Sequence, residues 1–257
     1  MLTYYNDNDK FVCKWLADLQ SRSLLAEGRI DNRSITTIKG DEVAQYKRCH
    51  FFAGIGGWEY ALQLAGWPED EPVWTGSCPC QPFSVAGCGR GEADERHLWP
   101  QFFRLINECR PTTIFGEQVA GKRGLGWLAR VLADLDSIGY ATAAVDLPAA
   151  GVGSPQIRQR LFWVAHSSGK RRDGQPILLR EKIPWQRTPP VSETAWGRFL
   201  GVELRNGDRK RIEPCLVAVV NGFPARVESI KKFGAAIVPQ VAATFIASFM
   251  EAICDAQ

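Results

Sequence analysis

The 257-residue chain has no apolar run approaching the roughly 20 residues that cross a bilayer. Its start, MLTYYNDNDK, lacks the basic and apolar regions of a secretory leader. A soluble, cytoplasmic protein is expected. Histidine is scarce: the three present (His50, His97, His166) show no ligand spacing, and paired C-x-x-C knuckles are missing. The eight cysteines are scattered rather than framed, which disfavours disulfides, and Cys78, Cys80 and Cys88 make a poor zinc set. The H-x-E…P-C-x-x-C pattern of zinc deaminases is absent. So are internal repeats and low-complexity tracts.

What is present is an ordinary globular composition, 45% hydrophobic and 23% charged, with a net charge of only +3. The charge is uneven. Residues 168–211 hold eleven Lys/Arg against five Asp/Glu, a net of +6 that leaves the rest at −3. With its prolines and tryptophans this segment reads either as a solvated loop region or as a surface for a polyanion.

Short apolar runs alternate with amphipathic stretches, the pattern of a mostly parallel sheet covered by helices. Strands are expected at 2–5, 49–54, 72–76, 112–117, 141–147 and 160–166. Helices are expected at 10–25, 57–66, 97–109, 124–139 and 238–254. In the fourth helix Leu125, Leu128, Leu132 and Leu135 make one apolar stripe, read as core, and Gly139 stops it.

Three stretches carry chemistry. FFAGIGGW (51–58) is a strand entering a glycine turn and then a helix, where backbone N–H groups can face a ligand. TGSCPCQPFS (75–84) follows a strand, so Cys80 falls at a carboxyl end of the sheet, where open α/β folds bind ligands. Cys13, Cys109 and Cys254, on helices, suit the role of small core residues better. GEQVAG (116–121) brings Glu117 to the same rim, and an acid beside a thiol is a nucleophile and proton-donor arrangement.

The set FAGIGG, PCQPFS, DERHL (94–98), EQV (117–119), QIRQR (156–160) and FGAAIVPQVA (233–242) resembles the DNA (cytosine-5) methyltransferases, particularly the short members of bacteria and their phages. The resemblance implies an α/β fold, a Rossmann-like methyltransferase sheet with helices on both faces, and S-adenosylmethionine as cofactor. It implies Cys80 as the nucleophile at C6 of a flipped-out cytosine and Glu117 as the group that contacts and protonates N3. Arg158 and Arg160 would hold phosphate or base, and Gln156 would order their loop. Phe52, Ala53, Gly54, Ile55, Gly56 and Gly57 would line the cofactor pocket, with Pro79, Ala235 and Ala236. Gln81, Ser84, Arg171, Arg172, Arg209, Lys210 and Arg211 would meet double-stranded DNA. Residues 1–166 would form the catalytic domain, 167–211 a short target-recognition region, and 212–257 the return to the catalytic domain. DRKRIEP (208–214) and NGFP (221–224) resemble the motif supporting that region. A monomer is expected, and a cognate restriction endonuclease has no signature in the sequence.

The chain departs from the family's pattern at three positions. Gln118 replaces the usual Asn after the glutamate, Ala235 another Asn, and His50 the Asp that opens the first motif. Each is expected to loosen cofactor binding or loop anchoring. Only 22 residues separate Gly57 from Cys80, too few for two intervening strands. The missing piece resembles the N-terminus: YYNDNDKFVCKWL (4–16) as a strand then an acid, with Asp7 and Asn8 at the ribose, and RSITTI (33–38) as the strand with Ser34 at the adenine, nearby Asp31 being a substitute. An N-terminal helical extension is the plainer alternative. An RNA (tRNA) cytosine-5 methyltransferase and a degenerate DNA-binding relative remain the competing functions.

Overall fold

The computed structural model describes residues 3–79, 98–154, 156–167, 200–203, 209–212 and 236–254. Seven strands form one sheet: β1 (Thr3–Asn6), β2 (Gly28–Asp31), β3 (Arg48–Phe51), β4 (Val73–Gly76), β5 (Thr113–Val119), β6 (Ala141–Pro148) and β7 (Gln159–His166). Their spatial order is β2-β1-β3-β4-β5-β7-β6, parallel from β2 through β5, with β7 antiparallel to both β5 and β6. β8 (Leu200–Glu203) and β9 (Arg209–Ile212) pair as a separate antiparallel ribbon.

Six helices complete the described fold: α1 (Lys10–Ser21), α2 (Gly40–Val43), α3 (Gly57–Ala65), α4 (Trp99–Cys109), α5 (Lys122–Ser137) and α6 (Pro239–Cys254). Both faces of the central strands are buried, so successive side chains feed two different cores. Tyr4, Phe51, Trp74, Ile114 and Trp163 point into the core shared with α4 and α5. Their neighbours Phe115, Phe162 and Val164 meet α3 and α6, and Tyr5 meets α1. None of the helices among the described residues is long and apolar enough to cross a membrane.

Two expectations are corrected. RSITTI is not a strand: β2 lies a few residues earlier, and Ile35–Thr37 is a 3-10 turn whose N-cap is Ser34. The run holds polar Thr36 and Thr37 between Ile35 and Ile38, while Ser34 offers the cap oxygen that competes with extended pairing. In α5, Leu125 is not core. The buried side is Gly124, Trp127, Leu128, Val131 and Leu135, which rotates Leu125 outward.

The parallel neighbour of β3 is β1, with Asn6 opposite Phe51. The chain therefore runs outward from β1 to β2, returns across β1 to β3, and proceeds in the other direction through β4 and β5. The order thus reverses between β1 and β3, and open α/β sheets bind ligands beyond the carboxyl ends of such a strand pair.

Candidate active site

At the carboxyl end of β3 the backbone turns sharply. Phe52 has φ 52°, unusual for a residue with a side chain, Gly54 has φ 52°, and Gly56 has φ 88° as it caps α3. Phe52 is held edge-on to Phe102 at 6.2 Å. A Cβ on Gly57 would lie 2.8 Å from Ile237, so that glycine lets the segment before α6 close over the turn. Ala53 is buried and Ile55 half-buried.

Asp7 lies just past β1, beside this turn. Gly54 N–H donates to its Oδ2 and Asp9 N–H to its Oδ1, both at 3.0 Å. Asn8 is exposed next to it. At the end of β2, Asp31 is buried and receives bonds from Tyr4 OH (2.9 Å) and from the Arg33 backbone and guanidinium. Burial works to raise its carboxyl, but the Arg33 and Tyr4 hydrogen bonds outweigh it and hold Asp31 down at about 2. Arg33 goes on to Glu42, so Asp31 is the root of a clamp on this loop. Ser34 is half-buried and turned to Thr36.

His50 replaces an acid with a network. Buried in the middle of β3, its Nδ1 meets Thr75 Oγ1 at 2.8 Å and its Nε2 meets Glu59 Oε2 at 3.0 Å. Glu59 also pairs with Arg48 at 2.9 Å. The carboxylate that the strand lacks is thus supplied by α3. Glu59 escaped the sequence reading because no motif marks it; the signal was a charged residue on the apolar face of a short helix.

Glu117 sits on β5 at the same rim, 7% exposed, with Arg160 Nε 2.8 Å from its Oε1. On the opposite face of β5, Trp163 packs over Gly116, where a Cβ would be 2.1 Å from its ring. Burial pushes the Glu117 carboxyl up to about 7, against the pull of Arg160 and Arg158. Such a group exchanges protons at neutral pH. Arg158 adopts φ 35° and donates to the Ala236 carbonyl, which ties the arginine pair to the segment leading into α6. Burial, with Arg160 beside it, lowers the Arg158 pKa. Gln156 is exposed, its N–H bonded to Ser154 Oγ at 3.2 Å.

The loop after β4 comes within reach of this acid. Gln118 donates from Nε2 to the Cys78 carbonyl at 3.4 Å, so the longer amide reaches the loop from β5. Cys78 is fully buried, and burial pushes its thiol far above the ordinary range, leaving a neutral core sulfur. Pro79 follows it, exposed. Cys80, Gln81, Ser84, Arg171, Arg172 and Ala235 lie outside the described residues. Arg209, Lys210 and Arg211 lie on β9.

The family described as C-5 cytosine-specific DNA methylase matches residues 67–201. The type II methyltransferase M.AplI of Arthrospira platensis is 35% identical over 175 residues, which cover 67% of this chain and 47% of that protein. M.AgeI of Thalassovita gelatinovora is 34% identical over 109 residues, 41% of this chain and 25% of its own. The chain thus spans less than half the length of these curated relatives. Among solved structures, the Dnmt2 methyltransferase of S. pombe superposes with a TM-score of 0.52 at 13% identity, over 98% of this chain and 99% of that one, a likeness of fold. Because the family match runs over more than half of its residues, the chain belongs to the C-5 cytosine-specific DNA methylases.

Proposed function

We propose that the protein transfers a methyl group from S-adenosylmethionine to C5 of cytosine in DNA, through a covalent adduct between Cys80 and C6 of a flipped-out base. The observation that carries this reading is Glu117, a buried carboxyl at the sheet's ligand-binding rim that keeps its proton until about pH 7. C5 of cytosine is a poor nucleophile. When Glu117 protonates N3, the ring becomes an acceptor, a thiolate can add at C6, and the electron pair of the C5–C6 double bond becomes available at C5. Arg160 orients the carboxyl and keeps its ionised form tolerable once the proton has gone. Loss of the C5 proton then allows the C6–sulfur bond to break and frees Cys80.

S-adenosylmethionine would supply the methyl group. The turn fits such a ligand: its Gly54 and Gly56 conformations leave no Cβ at the start of α3, and Asp7 stands beside it to accept from ribose hydroxyls. Ile55, Pro79, Ala235 and Ala236 would complete the cradle. The role once expected of Ser34 passes to the Asp31–Arg33 clamp, which fixes the loop at the neighbouring strand end. β1 and β2 serve in this reading as the family's second and third strands, moved to the front of the sequence. That is supported by the parallel pairing of β1 between β2 and β3. Residues 1–166 and 212–257 then form one catalytic unit, with 167–211 as the part that reads DNA through Arg171, Arg172 and Arg209–Arg211.

The test is incubation with labelled S-adenosylmethionine and either duplex DNA or tRNA, then trapping on DNA containing 5-fluorocytosine. Wild type and Cys78→Ala should label DNA and form a covalent adduct, whereas Cys80→Ser should do neither. Labelling of tRNA alone, or a dead Cys78→Ala with an active Cys80→Ser, overturns the assignment.

A further inference from the structure

We propose that Ile157 is the side chain that holds the duplex open when the target base leaves the stack; this rests on the DNA reading above. Six large hydrophobic side chains are prominently exposed among the described residues, and three of them lie on the segments at this end of the sheet: Val119 (42%) at the end of β5, Leu125 (54%) in the first turn of α5 and Ile157 (72%) just before β7. The register brings their segments together. Val119 at the end of β5 faces Arg160 at the start of β7, and Pro148 at the end of β6 faces Gln159. Scattered surface apolar residues need no explanation, but three on segments that meet at the end of β5 beside a buried acid do.

The surroundings select the occupant. Lys122 and Arg123 open α5 at this end, and Arg158 and Arg160 stand one and three residues beyond Ile157. The acids nearby are Glu117, buried against Arg160, and Asp146, exposed on β6. Cations interleaved with apolar side chains suit phosphates together with the faces of bases. A flipped nucleotide leaves two neighbouring bases with bare faces, and an apolar wedge between base steps is a recurrent way to cover them.

Ile157 is also held as a wedge must be. Its carbonyl accepts from Ala149 N–H at 2.8 Å, and the next residue, Arg158, is fixed in its φ 35° conformation by the bond to Ala236. A β-branched side chain on such a backbone has little χ1 freedom to lose. Ile157 is the most exposed of the three.

The experiment uses the full chain, labelled S-adenosylmethionine and an oligonucleotide duplex carrying the site mapped by bisulfite sequencing of DNA from cells expressing the protein. Two forms are compared: target cytosine paired with guanine, and target cytosine opposite an abasic site, which needs little opening. Ile157→Asn should lower kcat/KM on the paired duplex by about tenfold or more and on the abasic duplex by less than about threefold. Ile157→Leu should restore the paired rate. An equal loss on both duplexes, or no loss on the paired one, overturns the proposal. A wild-type chain that methylates neither duplex but labels RNA overturns the DNA reading itself, and the wedge with it.

Discussion

Replacing Glu117 with Gln separates the catalytic value of this acid from its cost to the fold. The carboxyl holds its proton to about 7 instead of the ordinary 4.5. At 1.36 kcal/mol per pH unit that is about 3 kcal/mol of proton-linked free energy. The folded chain binds this proton more tightly than the unfolded chain does. The contribution to stability is therefore whole below about pH 4.5, falls as pH rises to 7, and is fully lost above it. Gln has no proton to lose, so urea unfolding of Glu117→Gln should show a smaller decline between pH 5 and pH 8, by about 2–3 kcal/mol. Activity should move the other way. An amide can still bond N3 but cannot transfer a proton, so kcat should fall by about 10²–10⁴. Wild-type kcat/KM should decline by about tenfold per unit above pH 7, a limb missing from the residual activity of the variant. Identical stability–pH curves for the two proteins, or a variant within tenfold of wild-type kcat, would refute the reasoning.

Asp7→Ala should weaken S-adenosylmethionine binding by about 1.5–3 kcal/mol, measured by calorimetry, and should also lower the Tm because the Gly54 and Asp9 amides lose their acceptor. An unchanged dissociation constant would remove Asp7 from the cofactor site. His50→Asp, which restores the family's usual residue, should destabilise the fold by about 3–5 kcal/mol because it sets a second buried carboxylate against Glu59. Adding Glu59→Gln should recover part of that, and denaturant midpoints of the single and double variants check it. The double changes Arg171→Ala with Arg172→Ala, or Lys210→Ala with Arg211→Ala, should flatten the salt dependence of DNA binding by a log–log slope of about 0.9 per lost phosphate contact, with turnover at saturating DNA little changed. Unchanged slopes would make these charges a solvated loop.

Five helices were legible because each is an apolar stripe of nine or more residues, whereas the four-residue α2 was not expected; most strands were legible as short runs rich in apolar and β-branched residues. β2 was not. GRID carries two charges in four residues, and its burial comes from Tyr4 and Arg33, which bond Asp31 from outside the segment. Leu125 misled for a related reason: three- and four-residue spacing defines a stripe but not its edge, and close packing of Gly124 against Val119 turned the helix. In the site, the residue types and their order identified the family and placed Glu117 and the glycine turn at one rim. Local sequence carries that much, because a strand end followed by a turn determines where a side chain emerges.

Tertiary structure alone decided the rest. That Glu117 is a neutral-range acid depends on its burial once the sheet has closed, which outweighs the opposing pull of Arg158 and Arg160 arriving from β7 and the turn before it. That the His50 departure is balanced depends on Glu59 and Arg48 meeting it, and that Gln118 anchors the Cys78 loop depends on the distance between β5 and β4. These are energies of groups far apart in the chain, fixed by burial and distance, and burial and distance exist only once the sheet has closed.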